Sequence, residues 1–125
     1  MDNPFAIRGH ITFLPCHDLA ATADFYGRDL RLTLARDQGT CLIYCVATRA
    51  YLGFCQHEGP LPQHQGLILT LLIDDVDGAY RRLRSLGIET EDKPKRNEVY
   101  GIYHFFARDP SGYRLEIQRF FEPLA

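Results

Sequence analysis

The sequence lacks a large excess of charge of either sign, a long apolar run and a closely spaced cysteine pair. Its 14 Lys and Arg against 16 Asp and Glu give a formal net charge of −2, whereas a broad nucleic-acid-binding surface carries a strong basic excess. No apolar run approaches the roughly 18–20 residues that span a bilayer. The first residues form neither a basic nor an apolar segment. We therefore expect a cytoplasmic protein of 125 residues that binds neither nucleic acid nor membrane.

The cysteines form no C-x-x-C pair, although there are four of them: Cys16, Cys41, Cys45 and Cys55. A structural zinc site usually draws its ligands from such close pairs. Two disulfides would be possible in a secreted chain, but nothing in the sequence indicates secretion. We therefore predict reduced, mostly buried thiols that pack as small hydrophobic residues.

A strand, a capping aspartate and an amphipathic helix recur in the two halves of the chain. An apolar segment over 11–16 precedes Asp18, and a second one over 67–73 precedes Asp75. An aspartate at such a position accepts hydrogen bonds from the first turn of a helix, and apolar residues follow each aspartate at helical spacing. Gly87 is well placed to end the second helix. Asp75 follows Asp18 by 57 residues, so the halves are predicted to be copies of one module.

Three further strands are predicted after each helix, over 32–34, 41–46 and 51–55 in the first half and over 88–90, 102–107 and 113–118 in the second. Each half is thus a β-α-β-β-β module. The modules extend over about 8–57 and 66–121, and a Pro- and Gly-rich linker over about 58–65 joins them. The charged segment 93–98 is predicted to be a solvated loop or, alternatively, a mobile lid.

This repeat resembles the vicinal oxygen chelate superfamily, which includes glyoxalases, extradiol dioxygenases, fosfomycin-resistance enzymes and bleomycin-resistance proteins. Three patterns carry the resemblance: Asp18-Leu19 followed by Phe25-Tyr26, Asp74-Asp75-Val76-Asp77 followed by Leu86-Gly87-Ile88, and the closing hairpin over 106–117. Arg31 departs from the pattern, because the family often has Gly there. The resemblance implies an α+β fold. In it, the two modules of a single domain, residues 1–125, form a curved mixed sheet with a central cavity.

The resemblance also implies where a metal would bind. In the metal-dependent members, the first and last strands of each half supply His or Glu ligands to one divalent ion. The corresponding positions here are Ile11, Gly53, Ile68 and Glu116, so one of the four has a ligating side chain. A bulge that turned His10 inward would add a second ligand. We predict that the metal site is lost, that no cofactor is bound, and that Gly53 leaves extra room in the cavity.

Strand alternation, counted from the family's ligand positions, predicts which side chains face the cavity, and the hairpin register that the resemblance implies adds Ile102, His104 and Phe106. They are mostly apolar or aromatic with a few polar groups, which is typical of small-molecule sites. The ligand-binding candidates are Phe13, Tyr51, Cys55, Thr70, Ile102, His104, Phe106, Arg114, Glu116 and Gln118. Glu116 is either a hydrogen-bond acceptor or general base, or a remnant carboxylate paired with Arg114 or a histidine. His104 is either a proton shuttle or a strand histidine with satisfied hydrogen bonds.

Three functions remain open at this point. The first is a metal-free protein that binds a small hydrophobic or aromatic molecule, as the resemblance to bleomycin-resistance proteins suggests. The second is a divalent-metal-dependent glyoxalase or extradiol dioxygenase-type enzyme, against which the three missing ligands argue. The third is a metal-free acid/base enzyme that uses Glu116 and His104. The resemblance further implies a homodimer, to which Phe120 and Phe121 would contribute.

Overall fold

Each half of the chain folds around its own four-stranded sheet in the computed structural model, which describes residues 4–62 and 64–124. The chain divides into two compact units, Met1–Pro62 and Gln63–Ala125. The boundary falls within the segment 58–65 that was predicted to be a linker. Within the described ranges, no helix has the length and apolar content needed to cross a membrane.

The first unit has one β-α-β-β-β module, as the sequence predicts. Its elements are β1 (His10–Cys16), α1 (Leu19–Ala23), a π-helical segment (Asp24–Asp29), β2 (Thr33–Asp37), β3 (Cys41–Ala47) and β4 (Ala50–Gln56). The strand order is β1-β4-β3-β2. β1 and β4 are parallel, and the other neighbours are antiparallel.

The second unit repeats this topology. Its elements are β5 (Ile68–Leu72), α2 (Val76–Ser85), β6 (Lys95–Asn97), β7 (Ile102–Arg108) and β8 (Arg114–Phe120). The strand order is β5-β8-β7-β6, again with the first and last strands parallel and the other neighbours antiparallel. The predicted α+β fold with two similar modules is therefore confirmed.

Both predicted aspartate caps are present. Asp18 Oδ1 accepts a hydrogen bond from the amide of Ala21 at 3.1 Å, and Asp75 Oδ1 accepts one from the amide of Gly78 at 2.9 Å. Each bond satisfies an amide that the helix itself leaves without a partner, which typically stabilises a helix by about 1 kcal/mol. Gly87 follows α2 with a φ of 76°, the left-handed conformation in which glycine commonly ends a helix.

Each helix packs on one face of its own sheet. In the first unit the ring of Tyr26 is fully buried and stacks on Phe54 with ring centroids 4.2 Å apart. In the second unit α2 packs on β7 and β8, where Tyr80 meets Phe105 edge-on at 5.2 Å. Because side chains alternate along a strand, this packing leaves the opposite face of each sheet to the residues that the sequence predicts to face a ligand.

Two predictions about the second unit's edge strand are wrong. Residues 88–90 do not form a strand, and only Thr90 makes an isolated bridge, to Ala107. The edge strand is β6, which lies in the segment 93–98 that was predicted to be a solvated loop or lid. An edge strand tolerates charged residues because one side has no neighbouring strand, so its apolar alternation is too weak to detect.

The prediction that all cysteines are reduced is wrong for one pair. Cys41 and Cys55 form a disulfide, whereas Cys16 and Cys45 are thiols. Cys41 and Cys55 lie directly opposite each other on β3 and β4. Their separation of 14 residues carries no local signature, since the pairing depends on the register of the hairpin.

Candidate functional site

The strand register of the second unit places the predicted polar residues on the sheet face opposite α2. Thr70 lies beside Glu116 on the parallel pair β5 and β8. On the antiparallel pair β7 and β8, Phe106 lies opposite Glu116 and His104 opposite Gln118. Residues that are directly opposite share a face, so the structure brings these five side chains together.

Glu116, Thr70 and His104 form one hydrogen-bonded network on this face. The Thr70 hydroxyl donates to Glu116 Oε1 at 2.9 Å. His104 Nδ1 lies 2.7 Å from Glu116 Oε2. The side chains of His104 and Glu116 are only 9% and 12% exposed. Both oxygens of this largely buried carboxylate thus have hydrogen-bond partners, as buried polar groups normally do. The bond at Nδ1 fixes the orientation of the imidazole and directs its Nε2 away from Glu116.

Arg114 pairs with Glu91 rather than with Glu116. Its Nε and Nη2 each lie 2.9 Å from a carboxylate oxygen of Glu91, and its guanidinium lies 3.6 Å from the centroid of the Phe106 ring. The hydrogen bond from Arg114 holds the pKa of Glu91 below its ordinary value and raises the pKa of Arg114. Of the two predicted partners for Glu116, the histidine is therefore the one found.

Two of the cavities formed by described residues of the second unit border this sheet. One of about 250 Å³ is lined by His104, Phe106 and Arg114 together with Glu91, Asp92, Lys93, Lys95 and Phe105. The other, of about 310 Å³, is lined by Gln118 with Leu72, Ile73, Asp74 and the residues 119–121, 123 and 124. The predicted Ile102 is buried and lines neither cavity.

The sequence did not predict Glu91, Lys93 or Lys95 as residues of this site, although all three line the smaller cavity. Glu91 lies just after the segment that was wrongly predicted to be a strand, and Lys95 lies in β6, which was predicted to be a loop. Lys95 is directly opposite His104 on β7. A predicted inward-facing Arg114 does imply a nearby counter-ion, but spacing alone does not indicate which acidic residue supplies it.

In the first unit the candidates lie on the sheet face opposite α1. Ile11 lies beside Tyr51, and Phe13 lies beside Gly53. A Cβ atom at Gly53 would lie 2.5 Å from Phe13 Cδ1. The prediction that Gly53 leaves extra room is therefore wrong, because the Phe13 ring occupies that space. Cys55 shares this face, but its sulfur is bonded to Cys41.

The side chains at the family's ligand positions do not fit a divalent ion. Ile11 and Ile68 have no donor atom, and the space above Gly53 is filled by Phe13. The alternative with His10 is wrong, because β1 pairs with β4 without a bulge from His10 to Cys16. His10 therefore faces the opposite side from Ile11, and its Nε2 hydrogen bonds to the Thr12 hydroxyl at 2.9 Å. Across residues 4–62 and 64–124, no group of three or more His, Cys, Asp or Glu side chains is arranged to hold a metal ion.

A β-α-β-β-β module that occurs twice, each with a helix packed on one face of its own sheet, is the arrangement of a glyoxalase-like fold. The sequence model of the Glyoxalase/Bleomycin resistance protein/Dioxygenase superfamily matches residues 7–117, and the chain belongs to this superfamily. No curated protein sequence matches the chain.

Solved structures share this fold at low sequence identity. A lactoylglutathione lyase from Agrobacterium tumefaciens is 25% identical with a TM-score of 0.70, over 94% of this chain and 96% of that one. A glyoxalase/bleomycin resistance protein/dioxygenase from Nocardioides is 20% identical with a TM-score of 0.75, over 99% and 88%. The oxidase ChaP-H2 is 21% identical with a TM-score of 0.75, over 96% and 97%.

Proposed function

We propose that this chain is a small-molecule-binding member of the superfamily that works without a divalent ion. The observation that carries the proposal is the environment of Glu116, whose two oxygens are engaged by Thr70 and His104. The other three family ligand positions are aliphatic or glycine. One carboxylate that is already hydrogen-bonded is a poor site for a divalent ion. The divalent-metal-dependent glyoxalase or dioxygenase alternative is disfavoured for the same reason.

The proposed ligand is a small hydrophobic or aromatic molecule with one hydrogen-bonding group. Apolar side chains on the predicted ligand faces are exposed: Ile68 by 40%, Leu72 by 58%, Ile11 by 43% and Phe13 by 52%. Exposed apolar groups beside a few convergent polar groups favour a ligand of mixed character. His104, which lines the smaller cavity, supplies the polar contact through Nε2.

The metal-free part of the proposal is tested on protein purified without a histidine tag. Elemental analysis is expected to find no stoichiometric Ni, Zn, Fe or Mn. Neither a chelator nor added metal ions should change the melting temperature, since a ligand that binds only the folded state would raise it. Stoichiometric metal that a chelator removes, with a loss of stability, would contradict the proposal.

The ligand-binding part is tested with the fluorescent probe 8-anilinonaphthalene-1-sulfonate, displaced by a panel of phenols and aromatic carboxylic acids. Ile68→Ser should weaken binding of the probe and of the compounds that displace it. Val99→Ser is the matched control, because Val99 is 87% exposed outside the predicted ligand faces. Equal loss in the two variants would mean that the probe binds exposed apolar groups without a specific site.

A second candidate function is metal-free acid/base catalysis by Glu116 and His104. The 2.7 Å contact between His104 Nδ1 and Glu116 Oε2 favours it, because a carboxylate that orients an imidazole is a common arrangement for proton transfer. Compounds that bind are incubated in D₂O, and carbon–hydrogen exchange is followed by NMR. If the protein is a catalyst, the bound compounds should exchange hydrogen for deuterium. Glu116→Gln should abolish this exchange while the variant still binds the compounds. The exposed Glu122→Gln serves as the control.

We also propose that the protein is cytoplasmic and forms a homodimer. Exposed apolar side chains such as Phe5 and Ile7, at 81% and 71%, favour association with a second copy. The thiols Cys16 and Cys45 are typical of a reducing compartment, where a disulfide such as Cys41–Cys55 is usually transient. Sedimentation velocity at micromolar concentration should give a dimer, and cell fractionation should recover the chain in the cytoplasm. A monomer or a membrane-associated chain would contradict the respective part.

A further inference from the structure

The Cys41–Cys55 disulfide joins two residues that the sheet already holds together. They are directly opposite each other on the antiparallel strands β3 and β4, with Cα atoms 4.1 Å apart. At the neighbouring pair, the amide of Gln56 donates to the carbonyl of Thr40 at 2.9 Å. Because hydrogen-bonded and non-hydrogen-bonded pairs alternate, Cys41 and Cys55 form a non-hydrogen-bonded pair, in which side chains lie closest.

The hairpin does not depend on this bond for its pairing. β3 and β4 continue to pair from Leu42 opposite Phe54 to Tyr44 opposite Leu52. Phe54, Tyr44 and Leu52 are buried in the core of the first unit. Their burial anchors both strands, so two thiols formed by reduction stay next to each other. Neighbouring thiols in a folded chain re-form a disulfide readily, because no loop has to close.

The pair lies next to an exposed end of the hairpin. Cys41 is the first residue of β3, and Cys55 is the last but one of β4. Both are half-buried, whereas Cys16 is completely buried. The residues flanking the pair on its open side, Thr40 and Gln56, are exposed. Attack on a disulfide requires that a thiolate reach one sulfur, so this location permits exchange in the native state.

We propose that Cys41 and Cys55 form a redox site that cycles between disulfide and dithiol in the folded protein. The reductant is a dithiol. One of its thiolates attacks a cysteine sulfur, the S–S bond breaks, and the other cysteine leaves as a thiolate that takes a proton. The second thiol of the reductant then loses its proton and displaces the first cysteine, which takes up a proton. Two electrons pass to the protein, two cysteine thiols form, and the reductant becomes a disulfide.

The redox site shares its sheet face with Phe13 and Gly53, because Cys55 is two residues beyond Gly53 on β4. The oxidised and reduced states therefore present different groups next to Phe13. A difference in ligand affinity between the two states rests on the proposed function, whereas the redox step itself does not.

The test uses the full chain without denaturant, equilibrated with mixtures of reduced and oxidised dithiothreitol. Samples are quenched with acid, unfolded and alkylated with N-ethylmaleimide, and the adducts are counted by mass. The oxidised protein should carry adducts on Cys16 and Cys45 alone, and the reduced protein should gain two more in one step. Returning the reduced protein to oxidised dithiothreitol should remove the additional two. A single cooperative thermal transition should be seen in both states.

Three variants identify the residues involved. Cys45→Ser should keep the two-thiol step, whereas Cys41→Ser and Cys55→Ser should each abolish it. Reduction only in denaturant, loss of the folded state on reduction, or four adducts under oxidising conditions would overturn the proposal. Binding of the fluorescent probe is measured separately, so a protein without a ligand site still gives a clear result for the redox step.

Discussion

The ring of Phe13 covers Gly53 so closely that a Cβ atom there would lie 2.5 Å from Phe13 Cδ1. The two residues lie next to each other on the parallel strands β1 and β4. A glycine at this position therefore allows an aromatic ring to lie flat on the sheet. The position that the resemblance assigns to a metal ligand is therefore covered by the packing of Phe13.

Gly53→Ala is expected to destabilise the protein by about 1–2 kcal/mol, because the new methyl group forces the Phe13 ring to move. Urea denaturation measures the change. In a Phe13→Ala background the ring is absent, so the same substitution should cost much less. Equal costs in the two backgrounds would show that Phe13 is not the obstacle.

Thr70→Val is expected to destabilise the protein by about 1 kcal/mol, because Glu116 Oε1 loses the donor that now lies 2.9 Å away. Val has nearly the same shape as Thr, so packing changes little. Thr70→Ser keeps the hydroxyl and is the control. If Ser is as destabilising as Val, the methyl group of Thr70 matters and the hydrogen bond does not.

Glu91→Gln is expected to remove about 1 kcal/mol of stability at pH 7, because it breaks a two-bond pairing with Arg114 that is partly buried. The pKa of Glu91 in the folded state lies below its ordinary value of 4.5, chiefly because of the hydrogen bond from Arg114. The contribution of Glu91 to the free energy of unfolding is therefore fully present above pH 4.5, and it is lost as the pH falls through the folded-state pKa.

The stability gap between the wild type and Glu91→Gln should therefore be constant from pH 7 to about 4.5 and shrink at lower pH. Chemical denaturation at a series of pH values measures it. The exposed Glu89→Gln is the matched control and should show no such gap. A gap that persists unchanged to the lowest pH would mean that the variant disturbs packing rather than charge.

The sequence predicts well the features that depend on local spacing. The caps at Asp18 and Asp75 follow from helical spacing, and strand alternation predicts the inward direction of Thr70 and Glu116. The place of His104 beside Glu116 was predicted from the hairpin register that the resemblance implies. The β-α-β-β-β order follows from the same patterns. The two Asp-capped helices and the closing hairpin over 106–117 carried the resemblance to the family, which the family model confirms.

Features that depend on strand register and on side-chain direction could not be predicted. The Cys41–Cys55 bond requires the exact pairing of β3 with β4. The filling of the space above Gly53 depends on the rotamer of Phe13. The partner of Arg114 is Glu91, which lies 23 residues away in the sequence. Glu91 belongs to a segment without regular secondary structure, so no periodic pattern indicates its direction.

Arg31, where the family often has glycine, has a φ of 60°, a left-handed conformation that costs an L-residue roughly 1–2 kcal/mol. Arg31 lies just after the π-helical segment. The amide of its neighbour Leu32 donates a hydrogen bond to the carbonyl of Tyr26 at 2.9 Å, and this bond holds the turn in its geometry. Arg31→Gly is expected to raise the free energy of unfolding by up to about 1 kcal/mol, because relief of the strain exceeds the greater entropy of glycine in the unfolded chain.

The control is Arg36→Gly. Arg36 lies in the edge strand β2 with φ outside the left-handed region, so this substitution should instead destabilise the protein. Thermal and urea denaturation of both variants measure these opposite signs, and a destabilised Arg31→Gly would mean that Arg31 contributes contacts that outweigh its strain.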